Sequence, residues 1–249
     1  MRLKLTFVLI LFLCIPVYAQ EKNDKEISIV LELFTSQGCQ ACPPADNYFN
    51  EVVKRHSDEP SILPLAFHVD YWNQRGWKDP FSDSNSTARQ MEYSKKFKQR
   101  GTYTPQFIAN GEKVISRGYQ DAIPSYIAKN KEEKLPVSVE FDALNRFHLN
   151  ITIGKNLSND GSYGDKDVWL MPIIYETVTQ VRKGPNRGKI LKGRNIVKDF
   201  IFLGAWRGGE GSMAISAEKY KDYDAFAVIV QETRGGKILG AGLYEMKKS

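Results

Sequence analysis

Two cysteines three positions apart, Cys39 and Cys42, stand in the run Thr35-Ser36-Gln37-Gly38-Cys39-Gln40-Ala41-Cys42-Pro43-Pro44. The third cysteine of the chain, Cys14, belongs to an apolar leader, so this pair carries the thiols available for sulfur chemistry. Prolines directly after Cys42 mark the first turn of a helix. A helix N-terminus offers unpaired N–H groups and the positive end of the dipole, which stabilise a thiolate and lower its pKa below the free value of about 8.5. Cys39 is read as the nucleophile. Cys42, one turn further in, is read as the resolving thiol that attacks the mixed disulfide.

Other side chains bear on this chemistry. Glu32 lies among Leu31, Leu33 and Phe34. A carboxyl buried under the C-x-x-C helix would have a raised pKa and take the proton of the resolving thiol. His68 and Asp70 close a second apolar run, at the strand edge where open α/β sheets place their sites. Trp72 follows in an aromatic stretch with Trp77 and Phe81 and is assigned to packing or to a substrate groove.

The elements that must position these residues follow from periodicity. Residues 27–34 read as a buried strand, 43–56 as a helix and 62–69 as a second strand, parallel to the first through a right-handed crossover. A helix is expected at 86–99. Residues 101–115 read as loop, strand, Asn-Gly turn and strand, because Asn110-Gly111 supplies the positive φ angles of a tight hairpin. A last short helix is expected at 121–129. The order β-α-β-α-β-β-α is that of a thioredoxin-like core. In that fold a cis-proline faces the C-x-x-C and exposes backbone to the substrate, which singles out Pro105 and its neighbour Thr104; cis bonds are otherwise costly.

The charged run 130–134, followed by Pro136, suggests a boundary. Beyond it strands are expected at 137–141, 147–153, 168–176, 196–206, 226–232 and 238–244, alternating as half-solvated antiparallel strands do. The fold class is therefore α/β, with a thioredoxin-like domain over 20–134 and an all-β, β-sandwich-like domain over 135–249. The segment 182–189, rich in Gly, Arg and Lys, lacks the Gly-Lys-Ser/Thr ending of a phosphate loop and reads as a solvated hairpin loop.

Residues 1–19 have the form of a secretory signal: Arg2 and Lys4, an apolar stretch over 5–15, and Val17-Tyr18-Ala19 as a cleavage site. A secreted or periplasmic protein is expected, with no stable membrane insertion. Loss of Arg2 and Lys4 takes the formal charge from +6 to +4, and the dispersed cations argue against a nucleic-acid partner.

Several motifs carry a family resemblance. Leu33-Phe34-Thr35-Ser36-Gln37-Gly38-Cys39, Cys42-Pro43-Pro44-Ala45-Asp46, Phe67-His68-Val69-Asp70-Tyr71-Trp72, Gly76-Trp77-Lys78-Asp79-Pro80-Phe81 and Tyr103-Thr104-Pro105-Gln106 resemble a bacterial family of secreted thioredoxin-like proteins of unknown function. Asn186-Arg187-Gly188-Lys189-Ile190-Leu191 and Asn195-Ile196-Val197-Lys198 extend the resemblance into the second half. It implies the fold and a redox pair, and leaves the substrate open.

Three functional readings follow. The first is a thiol-disulfide oxidoreductase acting on protein thiols or disulfides without a cofactor, through Cys39, Cys42, Pro105 and Glu32, with Thr104, His68, Asp70 and Trp72 near the substrate. The second is a copper or zinc protein using Cys39, Cys42 and His68. The third is a non-catalytic binding module with a structural disulfide. Redox direction and oligomeric state are not encoded in any motif.

Overall fold

The structure is a computed structural model that describes residues 26–59, 61–115, 118–145, 148–157, 165–216 and 218–246. The expected leader, with Cys14 and its cleavage site, lies outside the described residues. Strands β1 (Ile29–Thr35) and β2 (Ile62–His68) are buried at every position, the reason their apolar runs are nearly unbroken. They pair in parallel, from Ile29 opposite Ile62 to Thr35 opposite His68. Helix α1 (Pro43–Arg55) makes the crossover. On the other side of β1 lies β3 (Gln106–Ala109), antiparallel, and β4 (Lys113–Ile115) returns beside it. Asn110 and Gly111 form the turn with φ of 48° and 65°. Helices α2 (Ser84–Lys96) and α3 (Tyr119–Asn130) complete the thioredoxin-like order, with strands arranged β2-β1-β3-β4.

Alternation along β1 sorts its side chains between two layers. Ile29, Leu31 and Leu33 meet Ala45, Phe49 and Val52 of α1 and Ile123 and Ile127 of α3. Val30 and Phe34 face the opposite way, toward Tyr93 of α2. Helix α1 carries its apolar residues at the three- and four-residue spacing that makes one buried face. Pro43 and Pro44 start it, Asp46 lies in its first turn, and Lys54 and Arg55 lie in its last, all in accord with the helix dipole. Helix α2 begins earlier than the sequence pattern suggests because Asp83 caps it, Oδ1 accepting from Asn85 N at 2.6 Å.

The second half comprises β5 (Val139–Asn145), β6 (His148–Ile153), β7 (Lys166–Gln180), β8 (Ile190–Val197), β9 (Ile201–Trp206), β10 (Gly211–Ser216), β11 (Ala225–Glu232) and β12 (Ile238–Glu245). Most of these do not build a separate sheet. β8 meets β2 in parallel at Ile196 opposite Ala66, and the main sheet runs β12-β11-β7-β8-β2-β1-β3-β4, with β9 also on β7. It therefore crosses the boundary expected near residue 134. β10, β6 and β5 form a small antiparallel sheet. It packs on one face of β7 and β11 through Leu149, Ile151, Val168, Phe226 and Val228. The fold is thus α/β, a mixed main sheet with three helices plus a small second sheet. The main sheet curls until its far end meets its near end, Ile238 N donating to Asn110 O at 2.9 Å. Among the described residues no helix is long and apolar enough to cross a membrane.

Candidate active site

Cys42 is the N-cap of α1, and Cys39 lies in the turn before it, its N–H donating to Ser36 O at 3.1 Å. The two are joined as a disulfide, with Cα atoms 5.4 Å apart. The Thr104–Pro105 bond is cis, and Thr104 O lies 3.8 Å from Cys39 Sγ. Trp72 Nε1 donates to Thr104 Oγ1 at 2.7 Å. Its backbone presses on Gly38, where a Cβ would stand 3.1 Å from Trp72 O. The fold thus brings together Cys39, Cys42, Trp72, Thr104 and Pro105. Both cysteines are enclosed, Cys39 at 1% exposure and Cys42 at 0%, while Gln40 and Ala41 between them are exposed.

Two segments distant in sequence complete the enclosure. Asn186, fully buried in the connection between β7 and β8, donates through Nδ2 to Gln37 O at 2.9 Å and to Cys39 O at 2.8 Å. The segment read as a solvated loop is therefore docked on the redox turn. From the aromatic stretch, Asp79 Oδ2 accepts from Gln37 N at 2.7 Å and lies 2.7 Å from His68 Nδ1. Trp77 Nε1 donates to Gln37 Oε1 at 3.1 Å. Burial opposes the charge of His68, yet the Asp79 carboxylate prevails and holds the imidazole above its ordinary value. Burial likewise works to raise Asp79, but the His68 charge and the Gln37 and Phe81 amides bring it below the usual carboxylate range.

One helical turn beyond Cys42 stands Asp46, whose Oδ1 accepts from Thr35 Oγ1 at 2.6 Å. Its carboxyl is surrounded by protein while an edge of the residue still reaches solvent. Desolvation pushes it up to about 6, against the Thr35 hydrogen bond and the nearby His68 charge, which pull it down. A cavity of about 20 Å³ is lined by Thr35, Gln37, Asp46 and His68, enough to hold one water. Since residues i and i+4 share a helix face, Asp46 stands on α1 one turn after Cys42, and it is this carboxyl rather than Glu32 that the fold sets near the resolving thiol.

Glu32 itself lies elsewhere. Strand alternation carries it to the face opposite α1, where it is fully buried and Arg89 Nε donates to its Oε1 at 2.6 Å. Tyr93 OH donates to its Oε2 at 2.5 Å, and Arg89 Nη1 donates to Gln231 Oε1 at 2.9 Å. The guanidinium lies over the rings of Phe200, Tyr93 and Phe67 at 4.6, 5.0 and 5.3 Å. This is a satisfied interior ion pair, and the expectation that Glu32 lies beneath the thiols is corrected. Asp70 is engaged with α2, its Oδ1 accepting from Thr87 Oγ1 at 2.6 Å in the first turn of that helix. His68 is linked to the redox turn through Asp79 and Gln37. Among the described residues no group of three or more His, Cys, Asp and Glu is arranged to hold a metal ion.

Asp46, Asp79 and Asn186 were missing from the sequence-derived site. A signal existed for Asp46 in its four-residue spacing from Cys42. The other two act across tertiary contacts with no local pattern.

Among solved structures, this chain is similar to protein AGR_C_4864 from Agrobacterium tumefaciens, at 27% identity and a TM-score of 0.71, covering 90% of this chain and 96% of that one. It also resembles HBP35 of Porphyromonas gingivalis, at 14% identity and a TM-score of 0.64, covering 90% of this chain and 76% of that one, a likeness of fold alone. No curated protein matches it. A family model described as "Protein of unknown function (DUF1223)" matches residues 30–231, a span that takes in the disulfide turn, the cis-proline loop and the docked Asn186 segment, and the chain belongs to that family.

Proposed function

We propose that the chain is a thiol-disulfide oxidoreductase working outside the cytoplasm, after removal of the leader at Ala19, on protein thiols or disulfides. The observation that carries this reading is the Cys39–Cys42 disulfide at the start of α1, with Thr104 O beside Cys39 and Asp46 one helical turn after Cys42. In the reduced protein the Cys39 thiolate attacks a substrate disulfide, forming a mixed disulfide and releasing one substrate thiolate. Cys42 then attacks Cys39 Sγ, passes its proton to Asp46, and releases the second substrate thiolate. The substrate disulfide is reduced by two electrons and Cys39–Cys42 is oxidised. The opposite direction retraces the same steps. With its carboxyl near 6, Asp46 is mostly ionised at neutral pH and is suited to accept that proton.

The near-complete burial of Cys39 favours a second reading, a structural disulfide. One experiment separates the two: equilibration of the Cys39–Cys42 pair with glutathione and quantification of the reduced fraction. A potential more oxidising than about −300 mV supports exchange, and one well below that marks a structural bridge. Cys39→Ser should also abolish trapping of mixed disulfides, whereas Cys42→Ser should accumulate them.

A further inference from the structure

The segment 182–189 docks on the redox turn and on the aromatic stretch beside it. Asn186 bonds to two carbonyls of the turn, and Lys189 Nζ donates to Asn186 Oδ1 at 2.9 Å. Gly184, at φ +73°, abuts the aromatic stretch. A Cβ there would stand 3.0 Å from Trp77 Cβ and 3.2 Å from Arg75 O. Anchored this way, the segment presents Arg182, Lys183, Arg187 and Lys189 to solvent. No carboxylate among the described residues pairs with Arg182, Lys183 or Arg187, and the segment contains no acid. Exposed Arg75 and Lys78 add two cations from the facing stretch. Of the acids on the redox turn's own supports, Asp79 is buried against His68 and Asp46, in the first turn of α1, is bonded to Thr35.

Resting on the exchange reading, we propose that this rim selects the substrate: a polypeptide whose reactive cysteine is flanked by acidic residues. The occupant must bring sulfur to Cys39, which nucleic acids and lipid headgroups do not. Six cations spread over two segments also exceed what a single small thiol can meet. Because Cys39 is 1% exposed, the redox turn has to open for a substrate, and carboxylates drawn to Arg182, Lys183 and Arg187 bring it to the segment bonded to that turn. Each exposed pair is individually weak, but a clustered field of one sign raises association rates by tenfold or more at low salt.

The test uses the full oxidised protein and two dithiol peptides identical except for Glu or Lys flanks, with dithiothreitol as an uncharged reference. At low ionic strength the acidic peptide should reduce Cys39–Cys42 at least about tenfold faster than the basic one, a ratio that shrinks as salt rises. In the Arg182→Glu, Lys183→Glu, Arg187→Glu triple variant, checked for folding by circular dichroism, the ratio should fall to one or invert. Equal peptide rates in the parent, with dithiothreitol reacting readily, overturn this inference and leave the exchange reading standing. No reaction with any dithiol removes the exchange reading and this inference with it. Blocking of the dithiothreitol reaction by an oligonucleotide at lower concentration than polyglutamate would make the rim a phosphate surface and also overturn the proposal.

Discussion

Asn186 and Cys39 are 147 positions apart, yet the side-chain amide of the first donates to the carbonyl of the second at 2.8 Å. The same nitrogen serves Gln37 O, so Asn186→Ala strands two carbonyls at once. We expect a loss of about 1–3 kcal/mol in urea unfolding, together with faster reduction of the disulfide by dithiothreitol. Unchanged reduction in a measurably destabilised variant would mean that the segment does not limit access.

Asp46 binds its proton more tightly in the folded protein than in the unfolded chain, since burial lifts it from 3.8 to about 6. Its contribution to stability is therefore complete below pH 3.8 and is lost as pH rises through about 6. Asp46→Asn has no charge to desolvate. It should exceed the parent by about 3 kcal/mol at pH 8 and approach it near pH 4. The same substitution should erase an inflection near pH 6 from the rate at which Cys42 resolves mixed disulfides. A variant equally stable at both pH values, or an unaltered rate profile, would count against the assignment.

His68 and Asp79 shift in opposite directions, and their pH windows differ accordingly. The raised imidazole contributes stability fully below its ordinary 6.5 and loses it as pH rises through the folded value. The lowered carboxyl contributes above 3.8 and loses it as pH falls through its folded value. Asp79→Asn should bring the His68 midpoint down in an NMR titration and cost about 3–5 kcal/mol where both groups are charged in the parent. A His68 midpoint that does not move would remove Asp79 as the cause of its shift.

For Glu32 the expectation is a split between stability and chemistry. Glu32→Gln leaves the Arg89 guanidinium buried without its counter-ion, at a cost of about 3–5 kcal/mol. Because the pair lies on the sheet face away from α1, the reduction potential of Cys39–Cys42 should stay at the parent value. A shifted potential with intact stability would return Glu32 to the redox site.

The contrast between Glu32 and Asp46 shows what the sequence could and could not disclose. β1 is apolar on both faces, so its pattern announces a central strand without saying which layer each side chain enters. Glu32 could not be assigned to a face from its neighbours. Asp46 could have been, because the helix that Pro43 opens has one register and places residue 46 over residue 42. Cys39, Cys42 and Pro105 were legible through the order of elements that surrounds them. In the second half, alternation located strands but not their partners. β8 joins β2 rather than a separate sheet, and β8 and β9 part within the stretch 196–206 whose pattern suggests one strand. Asn186 was hidden for a related reason: a buried amide hydrogen-bonded to a distant turn has the same local sequence as an exposed loop.

The contact between Ile238 and Asn110 also concerns timing. A chain emerging N-terminus first presents its cysteine turn long before the last two strands exist. Arg89 lacks its Gln231 partner, 142 positions later, until those strands arrive. The apolar face shared by Val30, Phe67 and Ile229 stays wet over the same interval. Structure assembled from such distant contacts forms slowly. During that delay Cys39 and Cys42 are open to any thiol or disulfide nearby, so the pair can acquire its bond before Asn186 docks on the turn.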